Sequence, residues 1–271
     1  MVRSLWTAAS GMAAQQLCVD TISNNLANIN TTGYKKETAE FKSLLYQTIQ
    51  KTSTDADGEQ KPVGVQVGLG VKTAAITSQY TQGNMTQTGN SFDFAIQGTG
   101  FFMVQMGDGR TGYTRSGAFQ MSIGNEGLTL SDAEGNPVLD TNGQPIVVPD
   151  TYSADKLSID SSGRLCYPDA NNNPQPIGIQ IGLAQFANSA GLEKVSNSLV
   201  VETDASGVAN IEVDGTTKMK SSIWQGYLEA SNVQAVDEMV SMIVAQRAYE
   251  MNSKVITASD DMLQMANNLK Q

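Results

Sequence analysis

A chain of 271 residues with a net charge of −10, no histidine and only 16% charged residues lacks the basic footprint that nucleic acid or an anionic membrane surface requires. The missing imidazole also removes the commonest general base and the commonest metal ligand. Two cysteines, Cys18 and Cys166, are too few for a disulfide framework and read as free thiols.

In chain order, the first predicted element is a helix from about Ser4 to Asn28. Leu5, Ala8, Met12, Gln15, Val19, Ile22, Leu26 and Ile29 alternate spacings of three and four, which lays one narrow apolar stripe along a helix. Gln15, Gln16 and Asp20 interrupt any signal-peptide core after Arg3, and no stretch approaches the length of a membrane span. The expectation is a cytosolic chain, or one that leaves by a route that does not read a cleaved signal. Asn24, Asn25 and Asn28 compete for backbone hydrogen bonds, and Asn30-Thr31-Thr32-Gly33 stops the helix. Tyr34 to Gln50, with Phe41, Leu44, Leu45 and Ile49, offers a second helix. Lys51 to Val63 is too polar to bury itself and reads as a loop or arm.

From Val65 to about Trp224 the period becomes two. Val65, Val67, Leu69 and Val71 alternate with polar or small positions, as do Phe92, Phe94 and Ile96, then Phe119, Met121 and Ile123, then Ile177, Ile179 and Ile181. Turn signals at Asp108-Gly109, Gly135-Asn136, Asn142-Gly143 and Ser162-Gly163 separate these runs, and Pro168 to Pro176 reads as a surface loop. Many short strands predict an antiparallel sandwich or partly closed barrel. A final helix begins near Val233, and Val244, Ala248, Met251, Val255, Ala258, Met262, Met265 and Leu269 repeat the heptad spacing without a polar exception. The fold class is therefore α+β: N- and C-terminal helices forming a coiled-coil stalk, with an inserted antiparallel β-rich domain.

No catalytic or metal-binding constellation emerges, and no cofactor is implied. Gly98-Thr99-Gly100 follows a strand, but Phe101-Phe102-Met103-Val104 continues as another strand, so the helix N-terminus that a phosphate loop needs is missing. Tyr113, Thr114 and Arg115 read as a hairpin rim. Asp237-Glu238 and Asp260-Asp261 are neighbours on a helix and point to different faces. Asp132, Glu134, Asn136 and Asp140 do not have calcium-loop spacing. Ser10-Gly11 and Ser116-Gly117 have no histidine to serve as base. Met12, Met239, Met242, Met251, Met262 and Met265 fit adaptable helix packing.

Several runs carry a resemblance. Ser4-Leu5-Trp6-Thr7-Ala8-Ala9-Ser10-Gly11-Met12, Ser23-Asn24-Asn25-Leu26-Ala27-Asn28 and Thr31-Thr32-Gly33-Tyr34-Lys35 are similar to the opening of the bacterial flagellar rod and hook axial proteins. Ser231-Asn232-Val233, Glu238-Met239-Val240 and Gln246-Arg247-Ala248-Tyr249-Glu250-Met251-Asn252-Ser253-Lys254 resemble that family's closing helix. Gln97-Gly98-Thr99-Gly100-Phe101-Phe102 and Tyr113-Thr114-Arg115-Ser116-Gly117-Ala118-Phe119 resemble its shared β domain. The chain length and Leu44-Leu45-Tyr46-Gln47-Thr48 most resemble members that build the distal rod.

The resemblance implies a structural subunit, not an enzyme, that polymerises into a hollow rigid drive-shaft carrying torque to the hook and passing exported subunits. Its implied domains are a coiled-coil helix over 1–33, a connecting segment over 34–80 with the arm 51–63, a β-rich outer domain over 81–225, and a coiled-coil helix over 226–271. Implied partners are further copies of itself, proximal rod proteins, hook protein, surrounding ring proteins and the type III export apparatus, with no nucleic acid and no membrane insertion. The implied location is the basal body, crossing the periplasm. The expected self-assembly seam is Leu5, Met12, Val19, Ile22 and Leu26 against Val244, Ala248, Met251, Val255, Met262, Met265 and Leu269. Asn24, Asn25, Asn28, Gly33, Tyr34, Arg247 and Tyr249 carry the family motif, and the arm is expected to bridge neighbouring subunits. The alternatives are another axial protein, proximal rod or hook, and a ligand-binding β domain with a coiled-coil tag.

Overall fold

The computed structural model describes residues 2–50, 64–124, 127–149, 152–153, 156–169, 173–196, 198–212 and 220–268, so the arm 51–63 and Leu269 lie outside the described residues. The chain divides into two compact units. A helical unit holds residues 1–27, 37–78 and 234–271, and a β unit holds 28–36 and 79–233.

In the helical unit, α1 spans Val2–Ala27 and α2 spans Ala235–Asn268. Alanine, leucine, methionine and glutamine, all strong helix formers, fill much of α1. Asp237 and Glu238 sit in the first turn of α2, where carboxylates oppose the positive end of the helix dipole. The two helices pack antiparallel. Ser4 Oγ lies 3.5 Å from Ser259 Oγ, and Asn25 Nδ2 donates to Glu238 Oε2 at 3.1 Å.

The helix expected over Tyr34–Gln50 does not form. Glu37–Ser43 is a strand paired antiparallel with Val71–Ser78, and Tyr46–Gln50 pairs with Val65–Gly68. Leu44 N donates to Gly70 O at 2.9 Å between the two ribbons. Thr38, Phe41, Tyr46, Thr48 and Ile49 favour a pleated surface, and the matching Val71–Ser78 run supplies the partner. Context here overrides a short apolar spacing that fits either element.

The β unit is antiparallel throughout its described strands. Its largest sheet orders Glu193–Ser196, Leu199–Val201, Thr111–Thr114, Phe101–Gln105, Leu183–Gln185 and Asn210–Ile211. Phe101–Gln105 is apolar at consecutive positions because both of its faces are covered. Phe102 and Val104 enter a core with Phe94, Ile96, Phe119 and Ile181, while Phe101 and Met103 enter a second with Tyr113, Leu139 and Val200. Phe102 and Phe119 meet edge to face with ring centroids 5.1 Å apart. The four turn signals fall at chain reversals, closed by bonds such as Gly135 N to Asp132 O and Gly143 N to Asp140 O, both 2.9 Å. Pro168 and Pro174, read as loop, instead end and begin paired strands, Arg164–Pro168 and Pro174–Gln180. Truncation of Phe102 to Ala should destabilise the β unit by about 3–5 kcal/mol, checked by urea unfolding followed through Trp224 fluorescence.

Candidate assembly surfaces

The buried residues of α1 and α2 are mostly small or polar, with Ile22 the exception. Ala8, Ala14, Thr21, Ile22 and Asn25 are buried on α1, and Glu238, Ala245 and Ser259 on α2. Gly11 allows the closest approach, since a Cβ there would stand 2.9 Å from Asn252 Nδ2. Ser4, Gly11, Cys18 and Asn25 descend α1 at heptad steps, matched by Ser259, Asn252, Ala245 and Glu238 ascending α2. Burial and the Glu238 charge push the Cys18 thiol above its usual pKa.

Asn25 is the polar centre of this line. It is 1% exposed, as is Glu238. Its Nδ2 donates to Glu37 O at 2.8 Å as well as to Glu238, and its Oδ1 accepts from Glu37 N at 2.9 Å. One amide side chain thus ties α1, α2 and the strand Glu37–Ser43 together.

The predicted seam is distributed differently from this contact line. On α1, Ile22 is buried and Leu5, Met12, Val19 and Leu26 are half-buried. On α2, Ala248 is half-buried, but Val244 is 63%, Met251 61% and Met265 58% exposed, and Val255 and Met262 are exposed as well. Asn252 faces α1, and Met251 is one position away, roughly 100° around an axis of 3.6 residues per turn. The most apolar stripe of α2 therefore runs beside the contact with α1, not in it. Val236, Met239, Val240 and Ile243 broaden that outward surface. The ribbon beside Tyr46–Gln50 adds exposed Leu45, Tyr46, Ile49, Val65 and Val67.

The β unit holds a buried charge cluster where a hairpin rim is expected: Tyr113, Thr114 and Arg115 are all buried, because the strand Thr111–Thr114 lies inside the largest sheet. Lys35 and Arg115 both pair with Glu229, whose side chain is fully buried. Glu229 Oε1 also accepts from Gly83 N at 2.9 Å, and its carbonyl accepts from Gly33 N at 2.9 Å. Lys35 Nζ donates to Thr81 O at 2.9 Å, and Arg115 Nη2 to Gly98 O at 2.7 Å. Burial pulls the Lys35 pKa down, while the Glu229 charge and hydrogen bond hold it up. Beside this cluster, Asn232 accepts from Lys36 N at 2.7 Å and donates to Gln79 O, Thr81 O and Thr81 Oγ1.

Gly33 has φ +70, and a Cβ there would stand 2.5 Å from Ser116 N, so any side chain is strained. Tyr34 lies under the Lys194 ammonium, 5.9 Å from ring centroid to nitrogen. Asn24 Nδ2 reaches Glu37 Oε2 at 3.4 Å, and Asn28 Oδ1 accepts from Thr31 Oγ1 at 3.1 Å. Arg247 pairs with Glu250 at 2.7 Å on the exposed face of α2, next to exposed Tyr249. Among the described residues no group of three or more His, Cys, Asp or Glu gathers to hold a metal ion, and no helix is long and apolar enough to cross a membrane.

Comparison with known proteins matches three family models along the chain. Residues 5–35 match "Flagella basal body rod protein", 95–167 match "Flagellar hook protein FlgE/F/G D1 domain", and 225–269 match "Flagellar basal body rod FlgEFG protein C-terminal". The chain is 45% identical over 273 residues to the flagellar basal-body rod protein FlgG of Borreliella burgdorferi, covering 100% of both. It is 44% identical to FlgG of Caulobacter vibrioides, covering 99% of this chain and 100% of that one. The FlgG of Bacillus subtilis is 41% identical over 274 residues, with 100% of both covered.

The chain belongs to the flagellar basal-body rod protein family. The rod-protein match over 5–35 contains Asn25, Gly33 and Lys35, and the C-terminal match contains Glu229, Asn232, Glu238 and the outward stripe. The two matched ends thus meet at both polar clusters, Asn25 with Glu238 in the helical unit and Lys35 with Glu229 in the β unit. Replacing Glu229 by Gln would leave two buried cations without a counter-charge. The expected loss is about 3–5 kcal/mol, read as a lowered urea midpoint of the β unit at unchanged slope.

Proposed function

We propose that this chain is a structural subunit of the distal rod of the flagellar basal body, joined to further copies of itself through the outward apolar stripe of α2. The single observation that carries this reading is the stripe itself: Val244, Met251, Val255, Met262 and Met265 are exposed on a helix whose other flank is already packed on α1. Contiguous apolar surface of this kind is removed from water by a partner. Membership of the rod family makes a neighbouring subunit the fitting partner. A contact between unlike faces of identical chains repeats, and where its rotation does not close it builds a helical filament.

Stacked subunits of this kind form a rigid hollow shaft that carries torque and leaves a path for exported chains. Proximal rod proteins and hook protein lie at its two ends, and ring proteins surround it where it crosses the periplasm. Delivery is by the type III export apparatus. The exposed apolar stripe of α2 supports this stacking.

Val255 tests it. The residue is 45% exposed, so Val255→Asp should change the stability of the isolated chain by less than about 0.5 kcal/mol. In an assembled seam the same carboxylate would be buried without a partner. The expected result is wild-type protein forming straight tubes on concentration, seen by electron microscopy, and V255D staying monomeric by sedimentation with an unchanged melt. Tubes from V255D as abundant as from wild type would rule the stripe out as the assembly surface.

A further inference from the structure

We propose that Asn25 and Glu238 are positioning residues that fix the register of the α1–α2 pair, and so decide how the outward stripe of α2 is aligned against α1. The inference concerns pairing within one chain and stands whether or not the stripe is the polymer contact.

Small residues make a poor register mark. At heptad steps α1 offers Ser4, Gly11 and Cys18, and α2 offers Ser259, Asn252 and Ala245. Sliding one helix by seven residues, about 10 Å at 1.5 Å per residue, replaces small side chains by other small side chains. No large knob in that series resists the slide, and Ile22, the one large apolar side chain buried on α1, makes no directional bond that marks a level. The Asn25–Glu238 level is different. Both side chains are 1% exposed, and Asn25 is held on three sides by its two hydrogen bonds with Glu37 and its donation to Glu238. Asn25 cannot follow a sliding α2, because Glu37 anchors it from both its N–H and its carbonyl.

A slide in one direction brings Glu238 level with Cys18, whose weakly acidic thiol is already pushed away from ionisation by burial and by the Glu238 charge. The carboxylate would lose the Asn25 amide and gain a weak donor. A slide in the other direction carries Ala245 to Asn25 and strips the amide of its charged acceptor, while Glu238 passes beyond the C-terminal end of α1 at Ala27. Either displacement leaves a buried polar group without its partner, the asymmetry that makes one buried polar pair an effective register mark in a helix pair. The apolar flank of α2 then enters any neighbouring contact at one height only.

The test uses the native Cys18 in full-length chain carrying Cys166→Ser, with one added thiol. Ala245→Cys reports the register in the structure, and Asn252→Cys reports a slide of one heptad. Each dilute monomer is oxidised with diamide, which takes up the two electrons and two protons released as the disulfide forms, and the intrachain link is counted by mass spectrometry. With Asn25 and Glu238 present, Ala245→Cys should link at least tenfold faster than Asn252→Cys. Adding Glu238→Leu should bring the two rates within threefold while helix content by circular dichroism is kept, and Glu238→Gln, which still accepts from the Asn25 amide, should preserve the preference. A merely stabilising role would alter the melt without altering this ratio. The proposal is overturned if Asn252→Cys links as fast as Ala245→Cys in the chain with Glu238 intact, a reading that does not depend on any Glu238 variant folding. It is equally overturned if Glu238→Leu folds and retains the tenfold preference.

Discussion

Glu229 is the residue on which the β unit most depends. A carboxylate with no exposed surface is costly to desolvate, and it persists because two cations and two backbone amides converge on the same residue. Those partners come from three separate stretches of chain, at Gly33 and Lys35, at Gly83, and at Arg115. Well-packed apolar residues could fill the same volume at comparable or better stability. What an apolar cluster cannot do is demand three particular partners in one geometry. Asn232 repeats the arrangement with a neutral side chain that binds Lys36, Gln79 and Thr81 at once. Gly33 completes it, because its positive φ and the 2.5 Å clearance to Ser116 N admit no side chain.

The helical unit divides its labour between two surfaces. The inner line gives close approach and a polar mark but little apolar area, so it contributes modestly to stability. The outer stripe holds much of the apolar area of α2 and leaves it in water. Long helices in water draw most of their stability from packing, and here the packing of the exposed stripe is deferred. A chain built this way keeps its termini defined relative to each other yet retains a driving force for association.

The α+β plan was legible in the sequence because its signals are local: period 3.5 at both ends, period two and turn dipeptides between. The contact line was not. Hydrophobic spacing reports the most apolar stripe of a helix, and on α2 that stripe is the exposed one, while the inner line of Ala245, Asn252 and Ser259 carries no hydrophobic signal. The fault at Tyr34–Gln50 has a related origin, since strand pairing with Val71–Ser78 is a long-range choice that a short apolar run does not encode. The pairing of Lys35 and Arg115 with Glu229 is hidden for the same reason, and Arg115 reads as a hairpin rim although it is buried. Each is an ordinary charged residue until the fold brings all three together in a buried place. The Asn-rich end of α1 reads as helix termination or as hydrogen bonding between neighbouring subunits; α1 ends at Ala27, and Asn25 in addition joins three elements within the chain.

The chemistry of the two helix surfaces fits these different tasks. Gly11 and Ala245 have no side-chain rotamers to lose, so the close approach of the inner line costs little side-chain entropy at these positions. Met251, Met262 and Met265 are long, unbranched and polarizable, and they adapt to irregular surfaces at small cost. A subunit that meets several neighbours in slightly different surroundings benefits from adaptable side chains outside and a rigid pairing inside. Exchanging the two sets would give a stickier hairpin with an undefined register and an outer face unable to accommodate variation. The one-residue offset between contact line and apolar stripe is what keeps both properties on a single helix.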